Sequence, residues 1–397
     1  MQNMVSLLPW LLVAVVVVDP ADSFFSIKTP LFFLVMLISL FYFRNISLLK
    51  PPFLLILLFV SFIVPVYGVF VFFINDASGN PAHALAMLKA FLFFLIIIPL
   101  LLFDSKVDKM LAYTPLLIIP VTLSIYSLFI INAGFDPELY SSIIDSNNIK
   151  LAMRDVLGIK LVMIYYLTSP LLLFSVCFFS AKYVTSGGKW NIVFIGIIVF
   201  AMYLSGARAN IVMAFVLPSL IILQARSKSL EHYFLKLVSL PIAIIVITLS
   251  VMMLSDSGEI SNSIKSLHFS SIINNFTWWG DVVFGQGLGS EYYSYGKNEI
   301  IFMSELTYVE IFRQLGLFFG FLLIAVLMVP ILTMLIKGMF FHWFNLAYIG
   351  YLVISATNPL LMNSTGMFVL AAALLFSMRS SSLSPPARHE TGVLKVR

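Results

Sequence analysis

Glu305-Leu306-Thr307-Tyr308-Val309-Glu310-Ile311-Phe312-Arg313-Gln314-Leu315-Gly316 closes the longest hydrophilic stretch of an otherwise apolar chain. The stretch opens at Ser255-Asp256-Ser257-Gly258-Glu259, after the apolar run Leu235 to Leu254, and sequence beyond Gly320 is apolar again. Between these limits lie His268, Asn274, Asn275, Trp278, Trp279, Asp281 and Gly285-Gln286-Gly287-Leu288-Gly289. Apolar sequence on both sides reads as membrane spans. The side of the membrane on which this stretch falls therefore sets the orientation of the chain and the place of any chemistry.

Composition supports that reading. Of 397 residues, 61% are hydrophobic and 10% charged, with a mean hydropathy of +1.04, where a soluble domain carries roughly 25% charged residues. Apolar windows near twenty residues recur, which predicts an all-α polytopic integral membrane protein of about 12 transmembrane helices. The expected spans lie near 4–18, 30–43, 53–73, 84–103, 111–131, 161–181, 191–205, 209–223, 235–254, 317–336, 343–355 and 366–378. Met1 to Val18 has neither a positive n-region nor a small-residue cleavage site, so it reads as a retained span. Cys177 is the only cysteine and lies in an apolar run, which excludes an internal disulfide and a thiolate metal cluster.

Charge orients these spans. Arg44, Lys50, Lys106, Lys109, Lys182, Lys189, Arg226, Lys228, Lys236, Lys337, Arg379, Arg388, Lys395 and Arg397 all fall on one side, against Asp104, Asp108, Glu231 and Glu390. The positive-inside rule makes that side cytoplasmic. The expected layout is 1–254 with helices one to nine and an outer loop at 132–160; 255–316 outside, ending in an amphipathic helix; 317–378 with the last three helices; and a cytoplasmic tail at 379–397. The split at 205–208 has an alternative, one long broken helix over 191–223, which the basic 224–236 loop argues against.

Candidate residues concentrate on the outer side. Arg208, in Ser205-Gly206-Ala207-Arg208, reads either as a helix-end arginine reaching lipid headgroups or as a fixed cation for a lipid diphosphate. At 100° per residue, Glu305, Glu310 and Arg313 share one flank of a helix, as a salt-bridged interfacial helix or as a catalytic edge. Tyr308 with Gly316 and Gly320 suggests close packing beside a cavity. The Gly285–Gly289 spacing lacks the flanking strand and acidic partner of a dinucleotide fingerprint, so Gly287 reads as a tight turn or as backbone approach to a substrate. Trp278 and Trp279 are interface anchors or a sugar-stacking platform. Lys89, Arg154, Lys160 and His268 complete the outer-side candidates. The 149–160 segment reads as a short surface helix.

Taken together, Gly285-Gln-Gly-Leu-Gly289, Glu305 to Gly320 and the Ser-Gly-Ala-Arg208 turn resemble the hallmark of the Wzy-type O-antigen polymerase and ligase superfamily. The ligase branch opens this helix with a histidine-asparagine pair where this chain has Glu305-Leu306, which points to the polymerase branch. The Arg-x10-Gly loop pattern of that branch is absent at Arg154 and at Arg208.

The resemblance implies a GT-C-like membrane fold and glycosyl transfer between undecaprenyl-diphosphate-linked oligosaccharides at the periplasmic face of the bacterial inner membrane. It also implies a chain-length regulator as partner. Arg208 and Arg313 would then steady the departing diphosphate, with Lys89, Arg154 or Lys160 in support, and Glu305 or else Glu310 would accept the acceptor's proton. His268, Trp278, Gly287 and Tyr308 would line the substrate. No cofactor, metal or nucleic acid is expected. The rival classes are a transporter of a lipid-linked or anionic solute, expected to place charges mid-helix, and a scaffold.

Overall fold

The computed structural model describes residues 7–23, 26–42, 51–75, 79–131, 148–156, 159–224 and 260–380, with a few isolated positions between 237 and 248. The expected ninth span, the loop 132–147 and the tail beyond Ser380 lie outside the described residues. In chain order the helices are α1 Leu8–Val18, α2 Lys28–Tyr42, α3 Pro51–Ile74, α4 Pro81–Leu102 and α5 Val107–Ser127. They continue with α6 Ser169–Ser186, α7 Lys189–Leu204, α8 Arg208–Gln224, α9 Ile260–Asn275 and α10 Trp279–Phe284. The last are α11 Thr307–Ile336, α12 Trp343–Ser355 and α13 Ser364–Arg379. Two antiparallel hairpins interrupt them, β1 Ile149–Val156 with β2 Ile159–Tyr166, and β3 Tyr292–Ser294 with β4 Glu299–Ile301.

The chain is a membrane protein, but the expectation of about twelve spans in a GT-C-like layout is corrected. Among the described residues five helices are long and apolar enough to cross a membrane: α3, α4, α5, α6 and α11. α1, α2, α7, α8, α12 and α13 are apolar but shorter. At 1.5 Å per residue the 11 residues of α1 reach only about 16 Å, half of a 30 Å hydrocarbon layer. Apolar windows in the sequence overstate span length because they run through turns. The expected span at 161–181 is the clearest case: it is strand to Tyr166, and helix starts only at Ser169.

The 149–160 segment is also a strand and turn rather than a surface helix. Ile149, Leu151 and Met153 alternate with Lys150, Ala152 and Arg154, a period of two, and Val162, Ile164, Tyr165 and Tyr166 favour the pleat. The break between α7 and α8 falls at Ser205–Ala207, as the charge pattern requires. Gly206 supplies a φ of +65° there, and a Cβ on it would strike Met163 of β2.

α13 forms the centre of the bundle. Gly366 admits the backbone of Leu360 and Leu361 against its first turn, and the buried run Ala371–Ala373 lies on the helix that α4 and α11 pack against, small residues being the device that replaces hydrophobic drive between helices in lipid. Both of its ends are fixed. Asn363 Oδ1 accepts from Gly366 N at 2.8 Å, Lys28 Nζ reaches Ser364 Oγ at 3.4 Å, and Arg379 Nη1 donates to the Ser105 carbonyl at 2.6 Å. α3 widens to a π turn at Phe59–Ile63 and α4 tightens to a 3-10 turn at Phe93–Ile96, each about one turn ahead of a proline, Pro65 and Pro99. A proline removes the N–H owed to the residue four back and crowds its carbonyl.

Candidate functional site

The glycine run and α11 form one locked unit. Gly285, Gly287 and Gly289 have φ of +81°, +93° and +76°, conformations that exclude most side chains. A Cβ on Gly285 would lie 2.5 Å from the Gly316 nitrogen, and one on Gly287 would lie 2.3 Å from that of Phe72. The space freed by Gly287 is thus filled by the backbone of α3 and is not open to a substrate. Gln286 N and Gly287 N donate to the Arg313 and Gln314 carbonyls at 2.8 and 3.0 Å, and Leu288 N to Gly68 O at 2.9 Å. Gly316 itself has a φ of +73°, so α11 is a short helix and a spanning helix joined at a sharp bend.

Inside this unit Glu310 and Arg313 are fully buried. Arg313 Nε donates to Glu310 Oε2 at 2.8 Å, Nη1 to Ser290 Oγ at 2.7 Å and Gln286 Oε1 at 3.3 Å, and Nη2 to the Phe302 carbonyl at 2.8 Å. Its guanidinium also lies 4.6 Å from the centroid of the Tyr292 ring. Glu310 Oε1 accepts from Tyr292 Oη at 2.9 Å and from Ser304 N at 2.8 Å. With four of the guanidinium's five N–H groups engaged, little remains for a diphosphate. These two residues, expected at the chemistry, serve as the bolt that holds 285–304 on α11.

Glu305 is placed differently. It precedes the helix rather than sharing a flank with Arg313, because the N-cap falls at Leu306. It is directly beyond Ser304, whose nitrogen the bolt holds. Its carboxylate is partly exposed and faces Lys150 Nζ of β1 at 3.7 Å. Tyr165, paired with Lys150 across the hairpin, donates from its hydroxyl to Asn358 Oδ1 at 3.1 Å, and Thr307 Oγ1 donates to the Asn358 carbonyl. Burial, with Glu305 adding, keeps the Tyr165 phenol well above its ordinary range and hence a neutral donor. Lys150, Tyr165 and Asn358 were missed as site residues. The only signals were a basic residue on an alternating segment and an Asn-Pro break between two apolar runs.

The same hairpin reaches toward Arg208. Gly206, in the turn that opens α8, packs on Met163, which is two residues from Tyr165 on β2, roughly 7 Å along the strand. Arg208 is part-exposed at the first position of α8 and is not among Arg313's partners. Asn210, two residues on, is fully buried. Its Nδ2 donates to Ser169 Oγ at 2.9 Å and to Ser205 Oγ at 3.3 Å, while Oδ1 has no partner among the described residues.

The remaining candidates scatter. His268 is buried on α9 with Nδ1 2.8 Å from Ser294 Oγ; burial lowers its pKa, with Glu305 raising it, Lys297 lowering it and Glu310 raising it. Tyr308 spends its hydroxyl on the Leu352 carbonyl at 2.8 Å. Lys89 is exposed on α4, and Trp278 is exposed ahead of α10. Arg154 and Lys160 lie on β1 and β2, paired in register with Leu161 and Asp155. Among the described residues no group of three His, Cys, Asp or Glu gathers to hold a metal. Comparisons with protein-family models, curated proteins and solved structures give no match.

Proposed function

We propose that this membrane protein is a glycosyltransferase of the outer face of the bacterial inner membrane. Its reaction is that of an O-antigen or surface-polysaccharide polymerase: it moves a growing glycan from undecaprenyl diphosphate to the non-reducing end of a new lipid-linked repeat unit. The observation that carries the proposal is Glu305, a partly exposed carboxylate set against Lys150 by a backbone that the buried Glu310–Arg313 pair fixes. The basic residues gathered in connections away from this stretch accord with an outward-facing site. No nucleotide reaches that compartment in quantity, and a lipid-diphosphate donor needs none.

In this reading Glu305 takes the proton of the acceptor hydroxyl, whose oxygen bonds to the donor's anomeric carbon. The bond from that carbon to the diphosphate oxygen breaks, and the electron pair leaves with the diphosphate. Arg208, at the other end of the hairpin contact, meets the charge that develops there, with guanidinium geometry matched to phosphate oxygens. Glu310 and Arg313 act through position alone.

The test is purified protein in liposomes with chemically defined lipid-linked repeat units and neither ATP nor an ion gradient. Longer lipid-linked glycans are expected. Movement of the same lipid between leaflets with no elongated product would overturn the proposal.

A further inference from the structure

We infer that α10, with the indoles of Trp278 and Trp279 and the apolar side of α9, rests in the headgroup layer of the bilayer, so that much of the 260–284 segment is a membrane-surface element and not a water-facing domain. Its polarity is inside out. In α10 the buried residues are Gly280 and Asp281, whereas Trp279 is 68% exposed and Val282 and Phe284 are exposed beside it. Asp281 Oδ2 turns inward to accept from Thr277 N and Oγ1 at 2.8 and 2.9 Å. In α9 His268, Ser271 and Ile272 are buried, while Phe269 and Ile273 are exposed on one flank of the helix. α10 turns its apolar residues outward, where a helix facing water buries them, and an exposed apolar surface of this kind marks a lipid or protein contact.

Continuity with the spanning helices selects lipid. Gly285 ends α10 against Gly316, and Leu317, Phe318 and Phe321, the next residues of α11, are exposed on a helix long enough to cross the membrane. Tyr67 of the spanning α3 donates to the Phe284 carbonyl at 2.7 Å and stacks on Phe319 at 4.0 Å between ring centroids. The apolar surface of α10 therefore runs on into the lipid-facing surface of α3 and α11 at their ends. Paired tryptophans at that level suit the interface, where an indole keeps its ring in the acyl boundary and its N–H among headgroups.

Single nitroxide labels at Trp279→Cys and Ile273→Cys, each with Cys177→Ser, test this in vesicles of phosphatidylethanolamine and phosphatidylglycerol. Glu299→Cys serves as the water reference, since Glu299 is exposed and pairs with Lys297 at 3.4 Å. Collision with oxygen relative to a water-soluble nickel chelate should be several-fold higher at 279 and 273 than at 299. A ratio equal to that at 299 overturns the inference. So does a label at 279 closed to both reagents and broadened by a second label, which would assign the surface to another copy of the chain. If the cysteine variants do not fold, tryptophan emission in brominated lipid decides. The share of emission lost in Trp278→Phe/Trp279→Phe should be quenched by bromine near the headgroup, and no quenching of that share overturns the inference.

Discussion

Two acid-base pairs meet at the start of α11 and behave oppositely. Glu310 and Arg313 are fully buried and bonded at 2.8 Å; Glu305 and Lys150 are partly exposed and 3.7 Å apart. Sequence makes both acids candidates for the proton acceptor, Glu305 ahead of Glu310. Burial and bonding separate them: a carboxylate that already accepts from Tyr292, Ser304 and Arg313 has no lone pair directed at a substrate, whereas Glu305 has only a loose ion pair to lose. The comparison also explains why both exist. The buried pair fixes Ser304 and Phe302, and the next residue outward is the partly exposed Glu305.

The largest effect is expected on the buried pair. Arg313→Ala strands a buried carboxylate, and breaking such a pair costs about 3–5 kcal/mol. Melting in detergent should drop sharply and membrane abundance with it. Arg313→Lys should recover only part, because an ammonium cannot serve Glu310, Ser290, Gln286 and the Phe302 carbonyl from one plane. A stable, abundant Arg313→Ala protein that has lost only activity would reverse the comparison and return Arg313 to the chemistry.

Glu305→Gln is expected to do the converse, with melting unchanged and elongation slowed about a hundredfold or more, as loss of a general base does. Normal elongation in that variant would end the role of Glu305. Gly285→Ala comes next, at about 1–3 kcal/mol of stability, because its φ of +81° and the 2.5 Å approach to Gly316 leave no room for a methyl group. An unchanged melting point would mean that the glycine run is not clamped on α11.

Much of this was readable in advance and some was not, for identifiable reasons. The break at Ser205–Ala207 and the close packing at Gly316 follow from local chemistry, and the sequence places them correctly. Span number failed because hydropathy does not register where hydrogen bonding stops: Leu161 to Tyr166 are as apolar as a helix but pair as a strand with 149–154. For Arg313, helical angle says which residues share a flank, and cannot say that Gln286, Ser290 and Phe302 arrive from elsewhere to bond it. Asn358 and Tyr165 join the site only through contacts spanning almost two hundred residues, which no local window contains.

His268 offers a pH test that sharpens the contrast between buried and exposed charge. Burial holds its folded pKa below the ordinary 6.5, against the opposing pull of Glu305 and Glu310 and with the aid of Lys297. The neutral ring is therefore the folded form. Its contribution is complete above about 6.5 and is lost as pH falls through the lowered value. Melting should decline on acidification below pH 6.5, and His268→Asn should flatten that decline. An equally steep decline in the variant would assign the acid sensitivity to other groups.

The smallest effect falls on Lys150, and it probes the comparison most finely. Lys150 is more than half exposed and 3.7 Å from Glu305, so Lys150→Ala should cost no more than about 1 kcal/mol, the ordinary worth of a surface pair. Salt should abolish most of that cost, since exposed charges are screened over about 8–10 Å at physiological ionic strength. The coupling of Lys150→Ala with Glu305→Gln in a double-mutant cycle should likewise stay within roughly 0.2–1 kcal/mol. A larger coupling that survives high salt would mean that the rim closes over the pair in lipid. Glu305 would then be a second structural bolt rather than a free base, and the distinction between the two pairs would fall.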